Sequence, residues 1–342
     1  MSVLSANGLK ALLRYNLHML TSVSFSRLKN ILRTQGSYFY SSITKRVHHS
    51  GKPLAVSIEP TTACNLHCPE CPTGAKIIQR PSGSIGIEEF DRILSKLPEE
   101  TAYLTLYFQG EPFLNRHFFS MVKLAKQRRM IVATSTNGHF IDSNNASKII
   151  ASGLDKIIIS LDGADEETYL NYRRGGDFEK VISGIRNLSE ERKEQKSSSP
   201  LIVLQFLVFR QNQMQINQVR QLGKELGADV LEIKTAQHYN FRHGNDLMTT
   251  IDKYSRYRKN KSGGFELKKK LRNRCRRMWT SCVITWDGNV VPCCYDKDAK
   301  HSYGNILEKD FDQIWKAEGA QEFRKRLWRS RKQIEMCMNC HE

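Results

Sequence analysis

Cys64-Asn65-Leu66-His67-Cys68-Pro69-Glu70-Cys71 comes soon after the apolar run 54–58 and sets three cysteines in a C-x3-C-x2-C pattern. Three thiolates on one short loop can hold three irons of a [4Fe–4S] cube, a group that normally takes four cysteines. The fourth iron then keeps an open position, which is what separates a catalytic metal site from a closed structural one. Zinc or a redox dithiol is the alternative. Zinc sites usually pair two C-x2-C knuckles, and no second knuckle lies near this loop.

From residue 54 to about 235, short apolar runs alternate with amphipathic stretches. The candidate strands are 54–59, 102–108, 131–135, 156–161, 201–209 and 229–234. The candidate helices are 86–97, 116–129, 144–152, 177–193 and 213–226. This alternation predicts an α/β fold with a parallel sheet and right-handed crossovers; six units predict a partial (β/α)6 barrel. In such barrels the site gathers at the carboxyl ends of the strands. The polar residues agree. The cysteine loop follows the first strand, and Gln109-Gly110-Glu111-Pro112 follows the second. Thr134, Thr136, Asn137 and Gly138 close the third, and Ser160, Asp162 and Gly163 close the fourth. Thr235, Gln237 and His238 follow the sixth. The stretch 190–200 (EERKEQKSSSP) reads as a polar loop with no packing pattern.

The cysteine triplet resembles the signature of the radical S-adenosylmethionine (SAM) enzymes. The resemblance implies that the open iron binds the amino and carboxylate groups of SAM. An electron from the cube then cleaves SAM to methionine and a 5′-deoxyadenosyl radical, which abstracts hydrogen from a substrate. Cys64, Cys68 and Cys71 thereby become cluster ligands and the catalytic set. One position departs from the pattern: the residue before the third cysteine is usually aromatic in the family and is Glu70 here. Gly110-Glu111 looks like the family's glycine-glycine-glutamate element, with Gln109 in place of the first glycine. That implies that Glu111 accepts hydrogen bonds from the SAM ammonium, a charge-assisted contact; an ordinary strand-end turn is the alternative. Ser160 and Asp162, in Ser-Leu-Asp-Gly, resemble the segment that approaches the methionine part and ribose of SAM. Arg173, in Tyr-Arg-Arg-Gly-Gly, is the implied partner of the SAM carboxylate, with Arg174 as its rival. Asn137 either bonds the cofactor or serves a left-handed turn. His238 reads as a structural rim residue more readily than as a base.

A basic connector leads to Cys275, Cys282, Cys293, Cys294, Cys337 and Cys340. The stretch 283–292 reads as a β-hairpin turning at Asp287-Gly288, which would set Cys275 and Cys293 on neighbouring strands. Cys337-Met338-Asn339-Cys340 supplies a second pair. Four thiolates from two distant segments make a closed [4Fe–4S] site, with a four-cysteine zinc ribbon as the alternative. The stretch 275–340, with Gly304-Asn305-Ile306 and a helix at 311–315, resembles the SPASM/twitch extension on one branch of the radical SAM enzymes. Full SPASM domains hold two auxiliary clusters; six cysteines fit one, as in the shorter twitch form. The expected ligands are Cys275, Cys293, Cys337 and Cys340. Cys294 could replace Cys293, because adjacent strand residues point to opposite faces. Cys282 reads as a small buried apolar residue. The expected organisation is a basic helical extension over 1–50, the barrel over 51–240, a connector over 241–270 and the auxiliary cluster domain over 271–342.

The chain of 342 residues carries a net charge of +18, unevenly spread. Residues 1–50 hold seven Lys and Arg and no Asp or Glu, and residues 253–277 hold twelve basic residues against Glu266 alone. A third cluster is Arg324, Lys325, Arg326, Arg329, Arg331 and Lys332. An acidic substrate, an acidic electron donor, an anionic membrane surface or nucleic acid would each explain this, as would a solvated basic face. No nucleic-acid-binding motif accompanies the charge, which disfavours that partner. Leu9, Leu12, Leu13, Leu17 and Leu20 mark an amphipathic helix that either packs on the body or makes peripheral contact with a membrane. The acid-free segment also has the composition of a transit peptide. No run approaches the ~18 apolar residues of a membrane span. Nine cysteines in metal-ligand groupings point to a reducing compartment, the cytoplasm.

The reading as a whole is a radical SAM oxidoreductase with two [4Fe–4S] clusters, served by a flavodoxin- or ferredoxin-type electron donor. Relatives of this kind oxidise aminocyclitol carbinols or modify peptide side chains. No winged-helix peptide-recognition domain is evident before residue 54, which tilts the expectation towards a small carbohydrate-like substrate. A peptide-modifying enzyme is the alternative, and a non-catalytic Fe–S electron carrier is the alternative from another class.

Overall fold

The computed structural model describes residues 2–340; residues 1 and 341–342, the outer ends of the expected first and last domains, lie outside the described residues. Strand β1 (Ser2–Val3) leads into helices α1 (Ala6–Thr21) and α2 (Phe25–Thr44). The repeating part then runs β2 (Ala55–Ile58), α3 (Ile87–Lys96), β3 (Tyr103–Leu106), α4 (Phe118–Gln127), β4 (Ile131–Thr136) and α5 (Ser143–Ala151). It continues through β5 (Lys156–Ser160), α6 (Glu166–Tyr172), α7 (Phe178–Glu194), β6 (Leu201–Val208), α8 (Ile216–Glu225) and β7 (Val230–Thr235). A small hairpin, β8 (Tyr257–Lys259) and β9 (Phe265–Leu267), occupies the connector. The last part holds α9 (Arg277–Thr280), β10 (Ser281–Ile284), β11 (Val290–Val291), α10 (Phe311–Trp315) and α11 (Glu318–Ser330).

Strands β2 to β7 pair in chain order and are all parallel, the partial (β/α)6 barrel. Parallel strands are covered on both faces and therefore read as near-continuous apolar runs. In β6, LIVLQFLV, only Gln205 and Leu207 escape full burial. Asp142, Asp165 and Asp177 start α5, α6 and α7 by accepting the backbone N–H of Asn145, Thr168 and Lys180, the usual N-cap chemistry. Two buried carboxylates tie the amino-terminal ends of the strands. Asp155 accepts Val132 N–H at 2.7 Å and the Lys126 ammonium at 2.6 Å. Asp229 takes both ends of the Arg192 guanidinium, at 2.5 and 3.0 Å, and Ile202 N–H at 2.8 Å. Arg192 belongs to α7, so the first part of the stretch 190–200 is helix rather than loop.

The sheet is longer than the six barrel strands. Its order is β1-β7-β6-β5-β4-β3-β2-β10-β11, with β1 antiparallel to β7 and β10 parallel to β2. The carboxyl-terminal hairpin therefore continues the barrel sheet directly. One core joins Val56, Ile58 and Leu104 of the barrel to Trp279, Ile306, Phe311, Trp315, Phe323 and Leu327. The expected hairpin is present, but Cys275 precedes α9 and Cys293 follows β11, so the two are not on neighbouring strands. The third basic cluster is also not uniformly solvated. Arg324 is fully buried, 4.5 Å above the Trp315 ring, and donates to the carbonyls of Met278 and Trp315.

Helices α1 and α2 close the amino-terminal end of the barrel. Tyr15 of α1 bonds Tyr103 at the start of β3, and Ala11, Leu12 and Tyr15 pack on Leu201, Val203 and Val230. Arg27 of α2 donates to the carbonyls of Glu99 and Arg129, just ahead of β3 and β4. The second helix lies within the expected helical extension over 1–50, but no apolar spacing marked it, because its buried residues are polar: Arg27, Asn30, Thr34 and Ser41.

Candidate active site

The cysteine loop leaves the carboxyl end of β2 and is clamped from two sides. Glu111 N–H donates to the Ala63 carbonyl at 2.7 Å, and His67 N–H to the Arg174 carbonyl at 2.9 Å. Gly110 sits at φ +70, and a Cβ there would lie 2.4 Å from the Thr61 oxygen and 2.6 Å from the Ala63 oxygen. Only glycine allows that approach. Within the loop Cys71 N–H reaches the Cys68 carbonyl at 3.1 Å, and Gly74 leaves room for the Cys68 backbone, which a Cβ would meet at 2.5 Å.

Donors face the sulfurs. Leu66 N–H lies 3.5 Å from Cys64 Sγ, Asn137 Nδ2 4.0 Å from the same atom, and Arg173 Nη1 3.9 Å from Cys68 Sγ. Burial pushes the Cys64 thiol up to about 11; it also raises Cys68, against the pull of the Arg173 charge. Iron ligation displaces those protons, and the surrounding donors suit thiolates better than thiols.

The other rim residues converge on this loop, several with protein partners of their own. Glu111 is 1% exposed; Oε1 accepts Thr136 Oγ1 at 2.7 Å and Phe113 N–H at 3.2 Å, and Oε2 accepts Asn137 N–H at 2.7 Å. Burial outweighs these bonds and lifts its carboxyl to about 7. Asn137 Nδ2 bonds Asn65 Oδ1 at 2.8 Å, which ties β4 to the cysteine loop. Ser160 is buried at the end of β5. Asp162 and Arg173, each expected at SAM, hold one another: Nε and Nη2 lie 2.7 and 2.5 Å from Oδ2, while Oδ1 accepts Leu207 N–H. The Arg173 guanidinium is also 5.5 Å over the Tyr172 ring. Arg174 meets the loop through its carbonyl.

Glu70, the departure from the family pattern, has a specific environment. Its carboxylate lies 3.2 Å from His238 Nδ1, accepts Tyr239 N–H at 3.0 Å and bonds the Asn245 amide. The His238 carbonyl in turn accepts Asn339 Nδ2 at 2.8 Å, and Tyr257 Oη lies 2.7 Å from Asn339 Oδ1. A polar strap thus runs from the first cysteine loop to the Cys337–Cys340 turn. It joins residues more than 160 positions apart, so no local pattern signals it.

Cys275, Cys293, Cys337 and Cys340 line one small cavity with Arg277, Met278, Tyr295, Leu327, Arg331 and Met336. Arg331 Nη2 is 3.0 Å from Cys340 Sγ. Burial pushes the Cys337 thiol up to about 11, opposed by Arg331. Cys294 turns outward, exposed, with Arg277 Nη1 3.3 Å from its sulfur, and Cys282 is buried in the main core. Among the described residues no three Cys, His, Asp or Glu side chains gather closely enough to hold a single metal ion. Four thiols around one cavity are the donor set of a closed [4Fe–4S] site.

Three further side chains, Tyr107, Tyr239 and Lys297, lie near the Cys71 sulfur. Tyr107 and Tyr239 are each 39% exposed. Lys297 Nζ sits 5.0 Å over the Tyr239 ring; burial lowers its pKa, and the Cys71 and Cys294 sulfurs oppose that. Tyr107, Tyr239 and Lys297 were not singled out from sequence, since none belongs to a spaced motif.

A model of the radical SAM superfamily matches residues 58–206, and a model of an iron–sulfur cluster-binding domain, SPASM, matches residues 275–341. The AdoMet-dependent heme synthase of Methanosarcina barkeri (strain Fusaro / DSM 804) is 26% identical over 307 residues, 80% of this chain and 84% of that protein. BtrN in complex with AdoMet and 2-DOIA shares the fold at a TM-score of 0.52 and 18% identity, over 85% of this chain and 93% of its own. Streptococcus suis SuiB bound to the precursor peptide SuiA does so at 0.61 and 15%, over 80% and 67%. The matched stretches take in the first cysteine loop with most of its barrel, and the second cysteine set with its hairpin, so the chain belongs to the radical SAM superfamily and carries a SPASM iron–sulfur cluster-binding domain after the barrel.

Proposed function

We propose that this chain is a radical SAM oxidoreductase acting on a small carbohydrate-like or aminocyclitol alcohol. Cys64, Cys68 and Cys71 would hold one [4Fe–4S] cluster with an open iron for SAM, and Cys275, Cys293, Cys337 and Cys340 a second. When bound, these groups supply a hydrogen-abstracting radical and an acceptor for the electron left on the substrate. The chain's own residues bind and orient. Gly110 and Glu111 abut the loop from β3, Asn137 from β4, and the Asp162–Arg173 pair through Cys68, with Ser160 buried at the end of β5. The observation that carries the reading is the rim itself: a three-thiol loop, with cofactor-type residues of further strands set around it. An electron carrier would account for the cysteines but not for Glu111, Ser160 and Asp162 at one rim.

Polar groups near the cysteine loop support a small polar substrate, since Tyr107, Tyr239 and Lys297 bring hydroxyl and ammonium groups near the Cys71 sulfur. The near-complete coverage of BtrN's length supports it too. A peptide-modifying enzyme is the second reading, favoured by the likeness to SuiB. The basic surface suits an acidic flavodoxin- or ferredoxin-type donor, and nine cysteines in metal-ligand groupings suit the cytoplasm. The test is anaerobic reconstitution with iron and sulfide, then SAM and dithionite. About eight irons per chain and reductant-dependent 5′-deoxyadenosine are expected. Aminocyclitols, short peptides and a heme precursor are then compared as stimulants. Full iron without 5′-deoxyadenosine would remove the enzyme reading; stimulation by peptides alone would transfer it to the second.

A further inference from the structure

The helices that close the barrel leave a large apolar surface uncovered. Along α1 the inward face is Gly8, Ala11, Leu12 and Tyr15, and a separate row, Leu9, Leu13, Leu17 and Leu20, points away from the body. Exposure climbs along this row from 48% at Leu9 to 71% at Leu20. On α2 the polar inward face leaves Phe25, Leu28, Leu32, Phe39 and Ile43 outside, within an arc of about 60° at 3.6 residues per turn. Phe25, beside the turn between the helices, is 83% exposed. Nothing in the fold of the barrel requires two exposed apolar rows of this kind; large exposed apolar patches mark interaction sites.

Charge decides what covers them. Residues 1–50 contain seven Lys and Arg and no acid. Arg27 is spent inside, and Lys10, Arg14, Lys29, Arg33, Lys45 and Arg46 are exposed. A second copy would bring the same acid-free, positive face against this one, and the two would repel. An anionic lipid surface answers both properties at once, since apolar rows enter the acyl boundary while flanking Lys and Arg meet headgroups. No helix among the described residues is long and apolar enough to cross a membrane, so the contact is peripheral.

We infer that α1 and α2 form a docking surface for an anionic phospholipid bilayer, with the Leu20–Phe25 tip entering the interface. The rows lie at the amino-terminal end of the strands and the cysteine loop at the carboxyl end. The docked enzyme therefore keeps its cysteine loop turned away from the lipid, towards substrate and electron donor.

The experiment is flotation of the reconstituted full chain with phosphatidylglycerol-containing vesicles and with pure phosphatidylcholine vesicles. The chain is expected to float with the first and, at least about tenfold less, with the second. L17S/L20S/F25S/L32S changes exposed side chains only. It is expected to abolish flotation while iron content and 5′-deoxyadenosine formation stay at the parent level. K10E/R14E/K29E/R33E is expected to remove the preference for phosphatidylglycerol. Absence of flotation with anionic vesicles at low salt overturns the proposal. So does flotation that survives the apolar substitutions, which would assign it to the basic connector. A solution dimer that the same substitutions dissociate would give the face to a second copy.

Discussion

Glu111 shows how a single residue read correctly in place can be incomplete in partners. Its position after a glycine at a strand end was legible, and the Gly110 φ of +70 against the Thr61 and Ala63 carbonyls explains the glycine. Its three protein donors were not legible, because Thr136 and Asn137 come from the next strand and register is a tertiary property. The same holds for Asp162 and Arg173, whose mutual pairing across α6 leaves fewer groups free for the cofactor than sequence implied. A test at this scale must therefore separate two roles. Glu111→Gln turns an amide N–H2 towards at least one N–H or O–H donor and removes a charge. A charge-assisted bond is worth roughly 1.5–3 kcal/mol, so SAM affinity is expected to fall by about one to two decades at matched iron content. Thr136→Val removes two internal bonds, the one donated to Glu111 and the one accepted from Gly138 N–H, and is expected to cost about 2 kcal/mol of stability with SAM affinity nearly intact. Calorimetric SAM titration of both loaded variants checks this; equal affinity losses in the two would mean that Glu111 acts only through the fold.

At the scale of elements, the strands and helices of the barrel were readable because parallel strands and amphipathic helices differ so clearly in period. Every expected barrel element appears, within three residues at each end. The misses have physical reasons. Helix α2 turns polar residues inward and apolar ones outward, which inverts the pattern. Strand β1 is two residues long and too short for any period. The Cys337–Cys340 turn was found as a ligand pair, but its attachment through Asn339 to His238 and Tyr257 was not. That attachment sharpens a prediction. Cys337→Ala with Cys340→Ala removes two thiols from the cavity shared with Cys275 and Cys293, and about half of the iron should be lost. Because the strap still holds the turn, the barrel end at Glu70 should remain ordered, and SAM cleavage should persist while substrate turnover fails. Iron analysis and 5′-deoxyadenosine assay on one preparation decide it. Full iron in the double variant would show that the cluster sits elsewhere; loss of all SAM cleavage at half iron would show that the two loops are one functional unit.

For the molecule as a whole, sequence suggested a barrel, a connector and a separate cluster domain, whereas the sheet runs through both parts. Residues 281–284 and 55–58 pair in parallel over four positions, although they are more than 200 residues apart. An apolar run announces a strand but not its neighbour, so this pairing could not be read in advance. Its consequence is that the first barrel strand has no partner on one side without the carboxyl-terminal part. Ending the chain after residue 270 would strip β10 from β2, turning Ala55–Ile58 into an open edge next to the cysteine loop, and would uncover Val56, Ile58 and the surface now filled by Trp279 and Trp315. Unpaired parallel edges invite aggregation. It would also release the strap at His238, which loses Asn339. A 1–270 fragment is therefore expected to be recovered insoluble, or to bind much less than the three-cysteine share of iron, whereas the full chain unfolds in a single cooperative transition. Differential scanning calorimetry of the full chain and iron analysis of the fragment check the two halves. A soluble fragment that loads about four irons and cleaves SAM would show that the shared sheet is an attachment and not a requirement, and the barrel would then count as an independent folding unit.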